Sequence, residues 1–274
     1  MARLPPRRRG AQGLSGSAIG GIALLVGAAL AGAALAFFYF SLPSKPTIDA
    51  RSLCPVDGPQ GVTVVLVDTS DDLPAAGVRE VDGILDDLIT SLPAYHRLDI
   101  RVLDIQGNRS RSLFAKCNPG DGIGLSEWTD NPRLARMRWI ESFRKPAHEA
   151  VKSSLASAKA NSSPIMAAIQ DIALDQFSSE HSRSIKKTLV VISDMIEHTR
   201  DYSQYRNPDL SFARFKQSPA YLKYRTDLHQ ALVTINYVTR PAVMPDTTRH
   251  AAFWEAWVKD NSGVFVAIHR LQGT

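Results

Sequence analysis

Gly61-Val62-Thr63-Val64-Val65-Leu66-Val67-Asp68-Thr69-Ser70-Asp71-Asp72 is the stretch that decides the fold. Val62 to Val67 is short, mostly apolar and β-branched, the composition of a strand buried on both faces of a parallel sheet. It stops abruptly at Asp68, Thr69, Ser70, Asp71 and Asp72, an unbroken run of oxygen-bearing side chains. In open α/β sheets, ligands bind just outside the carboxyl ends of the strands, which is where this run falls. Hard oxygen donors at that spacing suit a Mg²⁺-like cation better than a soft metal. The same residues also form turns and cap helices, because they accept backbone N–H bonds. On this stretch alone both readings stand.

Upstream, Met1 to Gly13 carries Arg3, Arg7, Arg8 and Arg9 and no acid, and Ala18 to Phe40 contains no charged residue. A helix of that length, rising ~1.5 Å per residue, spans the ~30 Å hydrocarbon core of a bilayer. A cleavable signal peptide has a shorter apolar region and a small-residue cleavage site. This run instead closes on Phe37-Phe38-Tyr39-Phe40, an interfacial aromatic cluster. An uncleaved signal anchor is therefore expected. Four Arg precede it, against Lys45 and Arg51 just after it, so the N-terminus is expected in the cytoplasm and the rest in the periplasm or outside the cell. Gly16 and Gly20 have GxxxG spacing, which permits helix–helix association in the membrane. The expected division is a basic N-terminus over 1–17, a transmembrane anchor over 18–40, a Pro- and Ser-rich linker over 41–60 and one domain over 61–272.

The 274 residues leave room after the anchor for one α/β domain with a sizeable core. The formal charge is +5, but the four N-terminal Arg account for most of it. Arg133, Arg136, Arg138, Arg144 and Lys145 read as a solvated helix face, and no nucleic-acid partner is expected. Cys54 and Cys117 are the two cysteines. An even count in an oxidising compartment permits one disulfide, while two separate buried thiols are the alternative.

After the first strand, Val78, Val81, Ile84, Leu85, Leu88 and Ile89 fall at helical spacing, in a helix that ends before Pro93. Leu98 to Ile105 reads as a second strand, Gln106-Gly107-Asn108 as a turn and Ser112 to Cys117 as a returning antiparallel edge strand. Pro132 to Lys159 reads as helical, with Leu134, Met137, Ile140 and Phe143 on one face and a break at Pro146. Ser163 is expected as an N-cap, with Pro164 at the first position of a helix through Phe177. Thr188 to Ser193 is another strand and also ends in an acid, Asp194. Ile196 to Gln217 reads as a polar surface loop. A helix from Ser218-Pro219, a strand over Ala231 to Val238, a helix over Thr247 to Lys259 and a strand over Val264 to His269 complete the chain. Strands alternating with helices imply a mostly parallel central sheet, covered on both faces, with one antiparallel edge strand.

That topology also favours the disulfide. The edge strand would end near the end of the sheet where the first strand begins, within reach of Cys54 along an extended linker. Trp128, Trp139, Trp254 and Trp257 read as core residues. The seven histidines make no recognisable metal pair, and there is no phosphate loop, dinucleotide fingerprint or nucleophile elbow.

The ordered set of motifs resembles the von Willebrand factor A (VWA) domain family over about Gly61 to Gln272. Asp68-Thr69-Ser70-Asp71-Asp72 resembles that family's Asp-x-Ser-x-Ser loop. Ser162-Ser163-Pro164 resembles its second loop, and Asp194 the aspartate of its third. The resemblance implies a metal-ion-dependent adhesion site for Mg²⁺ or Mn²⁺, formed by Asp68, Ser70, Asp72, Ser163 and Asp194. Two positions depart from the family pattern: Asp72 stands in place of Ser, and Ser163 in place of Thr. Three carboxylates around one ion leave the site net negative and disfavour an acidic ligand. The expected function is metal-assisted protein binding from a membrane anchor, with a metal-free scaffold as the alternative. A metal-dependent hydrolase ranks below both, because no nucleophile–base pair or general acid can be named, and the chain is not expected to be an enzyme.

Overall fold

The computed structural model describes residues 16–41, 46–70, 73, 75–104, 106–128, 130–155, 161–206, 209–239 and 246–271. The chain forms two units, Met1–Pro46 and Thr47–Thr274. The first contains helix α1, Gly16–Ser41. Its segment Gly20–Ser41 is the one helix among the described residues that is long and apolar enough to cross a membrane.

The second unit is built on a six-stranded sheet of β1 (Gly61–Val67), β2 (His96–Asp104), β3 (Arg109–Cys117), β4 (Lys186–Ser193), β5 (Leu232–Val238) and β6 (Val264–Leu271). The order is β3-β2-β1-β4-β5-β6. Only β3 runs antiparallel, against β2. This is the expected mostly parallel sheet with one antiparallel edge strand.

Alternation along the central strands supplies two cores. Val62, Val64 and Leu66 of β1 join Leu189 and Val191 of β4 on one face. Val65 and Val67 join Val190 and Ile192 on the other. Such strands read as continuous apolar runs because both faces are covered. The first face is covered by α5 (Ile165–Ile172) with its π-helical extension Ala173–Phe177, and by α9 (Thr247–Asp260), which buries Phe253, Trp254 and Trp257. The second is covered by α2 (Ala75–Ser91), through Val81, Leu85 and Ile89 at four-residue spacing, and by the long helical segment that follows β3. Burying each of these side chains stabilises the fold by ~1.5–3 kcal/mol.

That segment runs as α3 (Pro132–Trp139), a π-helical turn (Ile140–Arg144) and α4 (Lys145–Leu155). The break expected at Pro146 takes the form of this π turn. Proline removes the N–H that would bond to the carbonyl four residues back, at Ser142. Lys116 Nζ donates to that carbonyl instead, at 3.3 Å. Trp139, Phe143, Ala147 and Val151 face the core, whereas Leu134 and Met137, expected on the buried face, are exposed. Trp139, Trp254 and Trp257 are core residues as expected. Trp128 is not, at 98 % exposure.

Three short helices, α6 (Glu180–Ser184), α7 (Phe212–Phe215) and α8 (Pro219–Lys223), join the larger elements. The expected linker is folded from Thr47 onward. Ile48 bridges Pro55, and Cys54 and Cys117 form a disulfide with Cα atoms 4.7 Å apart. Of the stretch expected as a surface loop, Ile196 to Gln217, the first part is interior, with Ile196, Glu197, Thr199, Tyr202, Ser203 and Gln204 buried, whereas most of the described residues after Gln204 are exposed as expected.

Candidate functional site

The carboxyl ends of β1 and β4 lie side by side, and Asp68 N–H donates to Ile192 O at 2.9 Å. This register sets Asp68 beside Ser193. Ser193 Oγ donates to Asp68 Oδ2 at 2.7 Å, and Ser163 Oγ reaches the same oxygen at 3.2 Å. Asp68 Oδ1 accepts Ser70 N–H at 2.9 Å. Of the expected residues, Ser163 is thus joined to Asp68 from a distant part of the chain, and Ser70 within the same loop through its backbone N–H. Asp194 follows Ser193 directly and is buried, with Oδ1 accepting Ile196 N–H at 2.9 Å. Asp72 lies outside the described residues.

Ser163 does not act as the expected N-cap. Pro164 occupies that position without a side-chain bond, which leaves the Ser163 hydroxyl for Asp68. The start of α5 is satisfied from elsewhere: Met166 N–H donates to Glu197 Oε2 at 2.8 Å. Ser163 is pinned by two backbone bonds with His198, at 2.9 and 3.0 Å.

Between Ser193 and Glu197 the backbone turns sharply. Met195 has φ 60°, a left-handed conformation unusual for a side chain of this size. It is held from both sides, by Met195 N–H to Ser193 Oγ at 2.7 Å and by Trp254 Nε1–H to Met195 O at 2.8 Å. The turn directly follows Asp194 and fixes the chain on its carboxyl side.

Sequence reasoning missed Ser193, Glu197, Gln204 and His250. Glu197 is fully buried, and burial pushes its carboxyl up to about 8, against the opposing Met166 N–H bond. Gln204 Oε1 accepts Glu197 N–H at 2.8 Å and lies 3.0 Å from His250 Nε2. His250 Nδ1 lies 2.7 Å from the Tyr237 hydroxyl, and burial lowers the imidazole to about 4, so it is neutral. His250 Nε2 also lies 3.0 Å from Trp254 Nε1, so the tautomer sets whether this nitrogen donates to Gln204 or accepts from the indole. Among the described residues, Glu197 Oε1 and Gln204 Nε2 have no hydrogen-bond partner. The available signal was Ser193, the last strand residue before an acid; nothing local marks the other three.

The Asp68 carboxylate is bonded by neutral donors, two of them hydroxyls whose remaining lone pairs are hard-oxygen ligands. In kind, this donor set fits Mg²⁺, which keeps several waters and needs few protein ligands. Among the described residues, no group of three His, Cys, Asp or Glu is placed to hold a metal.

The strand order, with β3 alone reversed at the edge, is the arrangement the sequence resemblance implied. No family profile and no curated protein matches this chain. It is similar to several solved structures. One is the SpRpn10 VWA domain, at 11 % identity and a TM-score of 0.38, covering 78 % of this chain and 89 % of that one. Another is an aerotolerance-related membrane protein from Bacteroides fragilis, at 11 % identity and 0.33, covering 75 % and 90 %. A third is the human COPII-coat protein Sec24c, at 7 % identity and 0.35, covering 79 % of this chain and 30 % of that one.

Proposed function

We propose that this chain is a membrane-anchored, VWA-like binding module that engages a protein partner at the Asp68 end of its sheet. Helix α1 supplies the anchor, the basic N-terminus faces the cytoplasm, and the domain stands on the opposite side. Asp68, Ser70, Ser163 and Asp194 would hold Mg²⁺ or Mn²⁺, with Asp72 a further candidate from the sequence. When bound, the ion supplies a Lewis-acidic position for an oxygen of the partner. The observation that carries this reading is the convergence of Ser163 and Ser193, from two distant stretches, on one oxygen of Asp68. Recognition is proposed in preference to turnover; the Ser203 hydroxyl that meets His198 Nδ1 at 2.8 Å near this end is buried.

One observation favours a metal-free variant of the same function. Both oxygens of Asp68 already accept hydrogen bonds, so the loops are held together by protein donors alone. Cross-linking capture from a membrane extract by the full chain tests the proposal and separates the two forms. A partner captured by the wild type and lost with Asp68→Ala supports binding at this end. Loss on chelation as well assigns the ion a role, and capture indifferent to both treatments contradicts the proposal.

A further inference from the structure

The end of the sheet opposite Asp68 carries an exposed apolar surface that neither core absorbs. Chain Asn118 to Asn131, which follows β3, and the first turns of α3 present Ile123, Leu125, Trp128, Leu134 and Met137 to solvent, with Ile123 82 % and Trp128 98 % exposed. The two segments form one surface. Asp121 pairs with Arg136 at 3.2 Å, and a Cβ on Gly122 would meet the Pro132 carbonyl at 2.6 Å. Exposed apolar clusters of this kind mark contact surfaces.

The same end receives the chain from α1. Val56 N–H donates to Thr47 O at 2.9 Å, Cys117 N–H to Ser52 O at 2.9 Å, and the Cys54–Cys117 disulfide fastens this entry segment to the last residue of β3. The segment that carries the apolar surface begins at the next residue, Asn118, and its first exposed apolar side chain is Ile123. Five residues, 42–46, join Ser41 to Thr47. Fully extended, a segment of that length reaches at most ~20 Å. A short tether of this kind holds the attached surface at high effective concentration near whatever the helix is embedded in.

We propose that this surface rests on the lipid bilayer, with Trp128 and Ile123 in the headgroup region and Arg133 and Arg138 facing lipid phosphates. Tryptophan favours that zone because its ring is apolar and its N–H is polar. Arg133 and Arg138 are exposed, Asp121 is taken up by Arg136 and exposed Glu141 by Lys145, and Glu127 is a further exposed acid that stands against them. The contact would leave the Asp68 end directed away from the membrane, toward a partner in solution. The inference rests on α1 spanning the bilayer, and its test keeps the two apart.

The full chain, reconstituted into vesicles of phosphatidylcholine and phosphatidylglycerol, is labelled with one environment-sensitive fluorophore at Trp128→Cys or, as the distant control, at exposed Arg200→Cys. Trp128 packs against nothing that its loss would unfold. Brominated lipids are expected to quench the label at 128 several-fold more strongly than the label at 200, and Arg133→Glu with Arg138→Glu to weaken that quenching. Alkaline extraction reports on the anchor separately. A chain that resists extraction but shows equal, weak quenching at both positions overturns the lipid contact while leaving the anchor intact. A label at 128 that is shielded without lipid quenching, and more so at higher protein density, assigns the surface to a second copy and also overturns it. Quenching at 128 in a chain that alkali removes supports the contact without the anchor.

Discussion

Ser193 Oγ donates to Asp68 Oδ2 at 2.7 Å while accepting Met195 N–H, also at 2.7 Å. One buried hydroxyl therefore ties the ends of two parallel strands together and holds the left-handed turn that directly follows Asp194. Ser193→Ala strands Met195 N–H and removes the shorter of the two hydroxyl donors to Asp68. A destabilisation of ~1–3 kcal/mol is expected. Urea denaturation should show a larger loss for Ser193→Ala than for Ser163→Ala, whose bond is 3.2 Å.

Glu197 gives stability a pH dependence of definite sign. Its carboxyl is raised from 4.5 to about 8 by burial. Between those values the native state binds more protons than the unfolded chain, so stability falls as pH rises through the window. His250 works in the opposite sense. Lowered from 6.5 to about 4, it costs stability as pH falls from 6.5 toward 4. The two effects oppose each other from 4.5 to 6.5, and above 6.5 only Glu197 remains. The melting temperature is expected to drop from pH 6.5 to 8, and Glu197→Gln to flatten that drop.

Arg101 is buried on β2 and pairs with buried Asp99 at 3.0 Å, with Asp171 at 3.6 Å and with Asp175. Ser110 Oγ joins Arg101 Nη1 at 2.9 Å, so this cluster fastens α5 and its π extension to the edge of the sheet. Arg101→Met leaves Asp99 charged and buried, at an expected cost of ~3–5 kcal/mol. Adding Asp99→Asn should recover part of that loss in chemical denaturation, because the stranded charge is gone.

The Cys54–Cys117 bridge closes a loop across 63 positions. Non-reducing mass spectrometry of exported protein should find no free thiol. Replacing both cysteines by serine should cost ~2–4 kcal/mol in the chain-entropy model.

The sheet was legible because Val62 to Val67 and Leu189 to Ile192 are apolar on both faces and each strand stops at an acid. The disulfide was legible because a reversed edge strand returns Cys117 to the end where Cys54 enters. Asp68, Ser70 and Ser163 could be picked from the sequence, but the role of Ser163 could not. Whether its hydroxyl caps α5 or turns to Asp68 depends on Glu197 being available to Met166 N–H, a contact between residues 31 positions apart. The interior of 195–204 was hidden for a similar reason. Its polar side chains bond to distant segments, Glu197 Oε2 to Met166 N–H and Gln204 Oε1 to His250 Nε2, and composition reports only their polarity. Leu134 and Met137 fall at helical spacing and Trp128 is a large aromatic, yet none of the three enters a core, because apolar character alone does not say which face is covered.

The central claim is that the Asp68 end binds a divalent ion. The melting temperature of the full chain in detergent, recorded with and without millimolar Mg²⁺ or Mn²⁺, tests it most directly. Binding to the native state alone stabilises by ~2.7 kcal/mol at a hundredfold excess over Kd. The account predicts an upward shift with either ion in the wild type and none in Asp68→Ala. Melting curves of the wild type that superimpose with and without the ions would contradict it.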